Sequence, residues 1–183
     1  MSKALIIIDI QKDYFKGGAC ELVNPIETSL EAKKLLDTFR EKELPIFHIQ
    51  HINATGPNAT FLLPTTMGID IHENVQPIEN ETVIQKNFPN SFLQTNLENE
   101  LEKLAVKDVV ICGMMSHMCV DATTRAAFDL GFNCTVAHDA CTTKNIKFND
   151  NMIKQKDVHN AFMSALGAVY AQMKKTDEII NDL

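Results

Sequence analysis

Asp9, Lys86 and Cys119, a carboxylate, an ammonium and a thiol, each lie at the end of a short apolar run or its following turn. Cys119 stands in DVVICGMMSHMCVDATTRAAFDLG, Asp108 to Gly131. Here the buried-looking run Val109 to Cys112 turns through Gly113, Met114, Met115 and Ser116 into helical periodicity, so the thiol is expected in a helix's first turn. Unpaired N–H groups and the helix dipole there favour the thiolate, which is the nucleophile. The competing reading is structural: most free cysteines are small buried hydrophobes, and strand-to-helix junctions are common. With a carboxylate to take and return a proton, and an ammonium to favour both anions, the set suits nucleophilic hydrolysis. Backbone N–H groups at the turn before Cys119 are then placed to hold an oxyanion. The scheme requires no histidine.

Positioning these groups is the task of the surrounding elements. Ala4 to Ile8 has the continuous Ile/Leu character of a strand buried on both faces of a parallel sheet, and Asp9 falls at its carboxyl end. Asn24-Pro25 opens a helix that runs to about Lys42. PIFHIQ, Pro45 to Gln50, fits a second strand, and Thr82 to Gln85 a third that ends in Lys86. Leucines at three- and four-residue steps predict a helix over Phe92 to Leu104. After the Asp108 to Gly131 stretch come a strand at Cys134 to His138, a polar loop from Thr142 to Asp150 and a helix from about Lys154 to Leu166. A last short strand at Val169-Tyr170 and a terminal helix from Thr176 complete the chain.

Alternation of this kind predicts a single three-layer α/β/α domain over residues 1–183. Its sheet is largely parallel, with right-handed crossovers. The carboxyl ends of parallel strands share one edge, so Asp9, Lys86 and Cys119 can converge. The stretch from His51 to Thr82 lacks periodicity, and a loop of that length is expected to wall the site and decide the substrate.

Composition narrows the partners. A net charge of −7, with no basic cluster, argues against nucleic acid. The amino-terminal apolar run has five residues before Asp9, too few for a membrane span, so a cytoplasmic protein is expected. Five cysteines without a C-x-x-C pair suggest neither a disulfide framework nor a thiol zinc site. The N-x-T matches at Asn53, Asn58, Asn80 and Asn133 are then chance.

Four segments in order, IIDIQKDYF (Ile7 to Phe15), QKNFPNSFLQTNL (Gln85 to Leu97), GMMSHMCVDATTRAAFDLGF (Gly113 to Phe132) and DAC (Asp139 to Cys141), carry a family likeness. Through them the chain, from about Ala4 to Ile180, resembles the isochorismatase-like cysteine hydrolases, which include nicotinamidases and N-carbamoylsarcosine amidases. The resemblance implies a six-stranded, mainly parallel, Rossmann-like sheet of order 3-2-1-4-5-6, a catalytic triad of Asp9, Lys86 and Cys119, a cis peptide at Met114–Met115, and an oxyanion hole from the amides of Met115 and Cys119. It also implies a small-molecule amide-type substrate and a homodimer or larger homo-oligomer. Nicotinamidases carry a D-x-H metal motif after the second strand. Here the region reads FHIQHINATG, with His48 and His51 but no acid at that spacing, so neither a metal nor another cofactor is expected. Isochorismatases proper lack the cysteine, so Cys119 points to a C–N bond and a thioester intermediate.

Gln11 and Phe15 are expected to line the pocket or, for the aromatic, to pack in the core; His117 is expected to touch substrate or to cap the helix. Cys112, Cys134 and Cys141 read as buried thiols, with Cys141 placed to meet Cys119 on oxidation, and His159 reads as structural. Two alternatives stand beside the amidase reading. One is a nicotinamidase with non-standard metal ligation; the other is a non-catalytic redox-sensing or binding module.

Overall fold

The computed structural model describes residues 2–54 and 59–183. The central sheet contains β1 (Ser2–Ile8), β2 (Ile46–His51), β3 (Thr82–Lys86), β4 (Val106–Met114), β5 (Asn133–Thr142) and β8 (Gln172–Lys174). Its spatial order is β3-β2-β1-β4-β5-β8, and every pairing is parallel. Counting only the strands of this sheet, the order is 3-2-1-4-5-6, as expected. Helices α1 (Pro25–Glu41), α2 (Leu97–Lys103), α3 (Asp121–Asp129), α4 (Gln155–Val169) and α5 (Thr176–Asn181) flank it.

Strand periodicity explains the layers, because alternate side chains of β1 enter different cores. Leu5 and Ile7 pack with Leu35, Leu36 and Phe39 of α1 and with Ile179 of α5. Ala4, Ile6 and Ile8 pack with Leu97 and Leu101 of α2, Ala127 of α3, and Met163 and Leu166 of α4. A central strand buried on both faces has no polar side to offer, which is why the run is continuous.

Several boundaries differ from those read in the sequence. The polar loop after β5 contains an antiparallel hairpin, β6 (Ile146–Phe148) and β7 (Asn151–Ile153). Val169 ends α4 rather than forming a strand, and the last strand lies three residues further on, at Gln172. Gly167 permits this: a Cβ there would crowd the Met173 side chain arriving from β8. The helix expected from Phe92 starts only at Leu97. Asn90 Oδ1 accepts from the Phe92 amide at 2.9 Å, Thr95 Oγ1 donates to the Ser91 carbonyl at 2.6 Å, and Gln94 adopts φ +57°. Side-chain bonds to the local backbone outcompete the helix over those residues.

The long 51–82 stretch, outside 55–58, is stitched to the segment that follows β1. Asp13 accepts the amides of Ala19 and Leu62, Lys12 pairs with Asp70 at 2.9 Å, and Gln11 bridges to Ile71. The Asn58 match lies outside the described residues. Among the described residues, no helix is long and apolar enough to cross a membrane.

Candidate active site

Asp9, Lys86 and Cys119 meet at the carboxyl edge of the sheet, and all three are buried. Asp9 follows the last residue of β1 in a left-handed conformation, φ +52°, and its amide donates to the Ile49 carbonyl at 3.1 Å. Lys86 is the final residue of β3. Its ammonium lies 2.8 Å from Asp9 Oδ2 and donates to the Pro89 carbonyl at 3.0 Å. The loop carrying Pro89 is held in turn by α3, where Thr123 Oγ1 contacts Ser91 Oγ at 2.8 Å and receives the Ser91 amide at 3.0 Å.

Cys119 sits at the end of β4, past Gly113 and a cis Met114–Met115 peptide. Gly113, at φ +132°, passes so close to β1 that a Cβ would collide with the Ile8 carbonyl oxygen. Cys119 lies inside a π-helical turn, Ser116–Val120, in which the Met115 carbonyl accepts the amides of Met118 and Val120 at 3.0 and 3.3 Å. Regular α3 begins only at Asp121. Ser116 Oγ lies 2.8 Å from His159 Nδ1, tying the turn to α4.

Burial sets the electrostatics. By itself it would raise the Asp9 carboxyl, but the Lys86 ammonium and then His51 outweigh it and hold Asp9 below the usual carboxylate range. Burial would likewise lower Lys86, and Asp9 followed by Cys119 reverse this, holding the ammonium above its ordinary value. For Cys119 burial wins: together with the Asp9 charge it pushes the thiol well up, against the pull of Lys86. The pull of the helix end toward the thiolate is therefore outweighed, because desolvation of the anion exceeds what the turn and the ammonium return.

A fourth group belongs to the cluster, and the sequence reading gave it no part in the chemistry. His51, the last residue of β2, is the register partner of Lys86. Its Nδ1 lies 3.6 Å from Cys119 Sγ, 3.6 Å from Asp9 Oδ2 and 3.5 Å from Lys86 Nζ. The available signal was positional: like Asp9 and Lys86, it closes an apolar strand, and that strand lies between theirs. Donor atoms of Asp9, His51 and Cys119 fall within 4.8 Å of one another, a spacing that a metal ion also uses. The Lys86 ammonium already supplies the cluster's positive charge beside the carboxylate. His48, the other candidate for metal ligation, lies away from this edge. It is buried with Nε2 2.8 Å from Glu81 Oε2, while Arg40 grips the same carboxylate at 2.6 Å. Burial holds His48 below its ordinary value despite Glu81.

The remaining sequence candidates have other partners. Gln11 is fully buried and its amide serves the backbone, accepting from the His51 N–H at 2.8 Å and donating to the carbonyls of His51 at 2.9 Å and Ile69 at 2.8 Å. Phe15 stacks on the His72 ring, with centroids 3.6 Å apart. His117 Nδ1 is 2.6 Å from Thr143 Oγ1 and its ring meets Phe162 edge-on, so it is engaged with the residue that follows β5 and with α4. All five cysteines are free; Cys141 is buried in the same core as Cys119, with burial pushing its thiol up to about 12. Tyr14 was also passed over. Burial and then the nearby Cys119 and Asp9 charges raise its phenol well above the ordinary value. A groove of about 520 Å³ beside Arg40, Pro45 and Thr82 opens at the opposite end of β2 and β3, away from this chemistry.

Fold and cluster together define an α/β hydrolase of the isochorismatase-like class. A family model described as the isochorismatase domain matches residues 3–166, and the chain belongs to the isochorismatase family. It is 48% identical to the uncharacterized isochorismatase family protein YddQ of Bacillus subtilis, over 98% of this chain and 99% of that protein. A solved structure from Oleispira antarctica, assigned as an isochorismatase hydrolase, superposes with a TM-score of 0.93 at 43% identity, covering 98% and 96% of the two chains. More distant relatives include streptothricin hydrolase of Streptomyces noursei, 29% identical over 97% of this chain and 60% of that protein. Nicotinamidase 3 of Arabidopsis thaliana is 27% identical over 98% and 88%.

Proposed function

We propose that this hydrolase cleaves a C–N bond, amide or ureido, of a small molecule through a thioester at Cys119. The observation that carries the reading is the convergence of a buried thiol with an Asp9–Lys86 ion pair at 2.8 Å. Cys119 is the nucleophile, Asp9 the general acid and base, and Lys86 the cation that offsets negative charge as sulfur attacks. The amides of Met115 and Cys119 form the oxyanion hole, each worth on the order of 3 kcal/mol in the transition state. The relative named nicotinamidase supports a C–N bond as target, and the one named streptothricin hydrolase supports hydrolysis. The 51–82 stretch, stitched to the segment after Asp9, shapes the pocket.

The test is a panel of small amides and ureido compounds offered to the purified protein, with Cys119→Ala as control and intact mass to detect the acyl adduct. Turnover and a covalent adduct, both absent in Cys119→Ala, are expected. Full hydrolysis by that variant would sink the proposal. The nicotinamidase alternative has its own signature, nicotinamide turnover lost to a chelator and restored by zinc. A redox or binding module would bind without turnover. A homodimer or larger assembly is proposed with the same function; a strictly monomeric mass at micromolar concentration in light scattering would remove it.

A further inference from the structure

We infer that His51 is a fourth catalytic residue, whose Nδ1 takes the proton of the Cys119 thiol as sulfur becomes the nucleophile. Its contact with the reacting atom is direct: Sγ and Nδ1 are 3.6 Å apart, an ordinary separation for a sulfur hydrogen bond. Asp9 Oδ2 is already engaged by Lys86 at 2.8 Å, while an imidazole is the stronger acceptor as a class. Nδ1 faces two donors, the thiol at 3.6 Å and the Lys86 ammonium at 3.5 Å, and one acceptor, Asp9 Oδ2 at 3.6 Å; the tautomer that takes the thiol proton is the one with its hydrogen on Nε2.

The placement of His51 is specified independently of any substrate. Gln11, fully buried, spends its side-chain amide on the N–H and the carbonyl of this one residue, and its second hydrogen on the Ile69 carbonyl. Beta pairing fixes the neighbour, because His51 and Lys86 are register partners at adjacent strand ends. With its backbone held at both the N–H and the carbonyl, His51 starts its side chain from a fixed position beside the thiol, as proton transfer needs.

The step balances. As the S–H bond breaks, its electron pair stays on sulfur and its proton goes to Nδ1. The imidazolium charge is offset by Asp9 Oδ2, 3.6 Å away. Sulfur adds to the carbonyl carbon and the displaced π pair becomes the oxyanion. The proton, shared between Nδ1 and Asp9, goes to the leaving nitrogen as the oxyanion collapses to the carbonyl and the C–N bond breaks, its pair staying on nitrogen. In deacylation a water gives a proton to the Nδ1–Asp9 pair as its oxygen adds to the thioester carbon, the C–S bond breaks with its electron pair on sulfur, and that proton returns to the thiolate. The groups facing the ring are Asp9, Lys86 and Cys119, with Tyr14 beyond them.

The later steps rest on the amidase reading; the first does not, and it can be measured without a substrate. Iodoacetamide alkylation of Cys119, followed by peptide mass spectrometry across pH, compares wild type with His51→Gln and His51→Ala. Thermal melting confirms that each variant is folded. Slowing of about 100-fold near neutral pH is expected in both variants, in line with general-base effects of 10²–10⁴. The variant rate should climb with pH toward the raised thiol value, and more steeply than the wild-type rate. A purely structural role would not reshape that profile. Alkylation of folded His51→Gln at the wild-type rate, or with the wild-type profile, overturns the inference. A wild-type protein that shows the His51-dependent profile yet hydrolyses no amide removes the amidase reading alone.

Discussion

At the scale of single residues, the site is governed by desolvation. A thiol this buried resists ionisation, so Cys119 needs a proton acceptor in contact with it rather than a favourable helix end. Replacing Cys119 with Ala removes the nucleophile but only a small buried side chain, so activity should fall by at least about 1,000-fold with a cost of roughly 1–2 kcal/mol in unfolding free energy. Steady-state hydrolysis and chemical denaturation of the same preparation check both halves. Lys86→Met should behave differently, because it strands the Asp9 charge in the interior. Its activity should drop and its stability should fall by about 3–5 kcal/mol. If Lys86→Met melts like wild type, the ion pair contributes nothing to the fold.

At the scale of elements, the sheet edge was legible because its strands announce themselves. Continuous apolar runs closed by Asp9 and Lys86 are the mark of buried parallel strands, and convergence of their ends follows from parallel pairing. In the sequence His51 reads only as a candidate metal ligand, because nothing sets it beside the thiol until strand register pairs it with Lys86. Local side-chain bonding hid the late start of α2, and the β6–β7 hairpin is too short for periodicity to show. Gly113 is the element-scale point of failure. It lets β4 pass the Ile8 carbonyl with positive φ just before the turn that presents Cys119. Gly113→Ala should cost roughly 1–3 kcal/mol from backbone strain alone, and more from the collision. It should also reduce Cys119 alkylation, since the turn must shift. A variant with unchanged melting temperature and unchanged Cys119 reactivity would show that the approach is not constrained.

For the whole molecule, one buried ion pair links β1 to the edge strand β3 across β2, so protonation of that pair is felt by the entire fold. Asp9 is held low when folded, so its pairing stabilises fully above the unfolded carboxylate value of about 3.9 and is lost as pH falls through the folded value. Lys86 is held high, so its contribution is complete below the unfolded value of about 10.4 and is lost as pH rises through the folded value. Between these limits the pair gives a plateau of stability with an acid and an alkaline shoulder. Glu81, held low beside Arg40 although burial opposes it, adds to the acid shoulder from outside the site. The double variant Asp9→Asn/Lys86→Met replaces two buried charges with neutral groups of similar size. It should be more stable at neutral pH than either single variant, because neither partner is left charged and alone. It should also flatten the stability-versus-pH curve at both ends, leaving the Glu81 contribution to the acid limb. Thermal melts of wild type, both single variants and the double variant from pH 2 to pH 11 measure this directly. A double variant that keeps both wild-type shoulders would show that other groups control them. A double variant less stable than both singles would show that the pair is not the unit that folds.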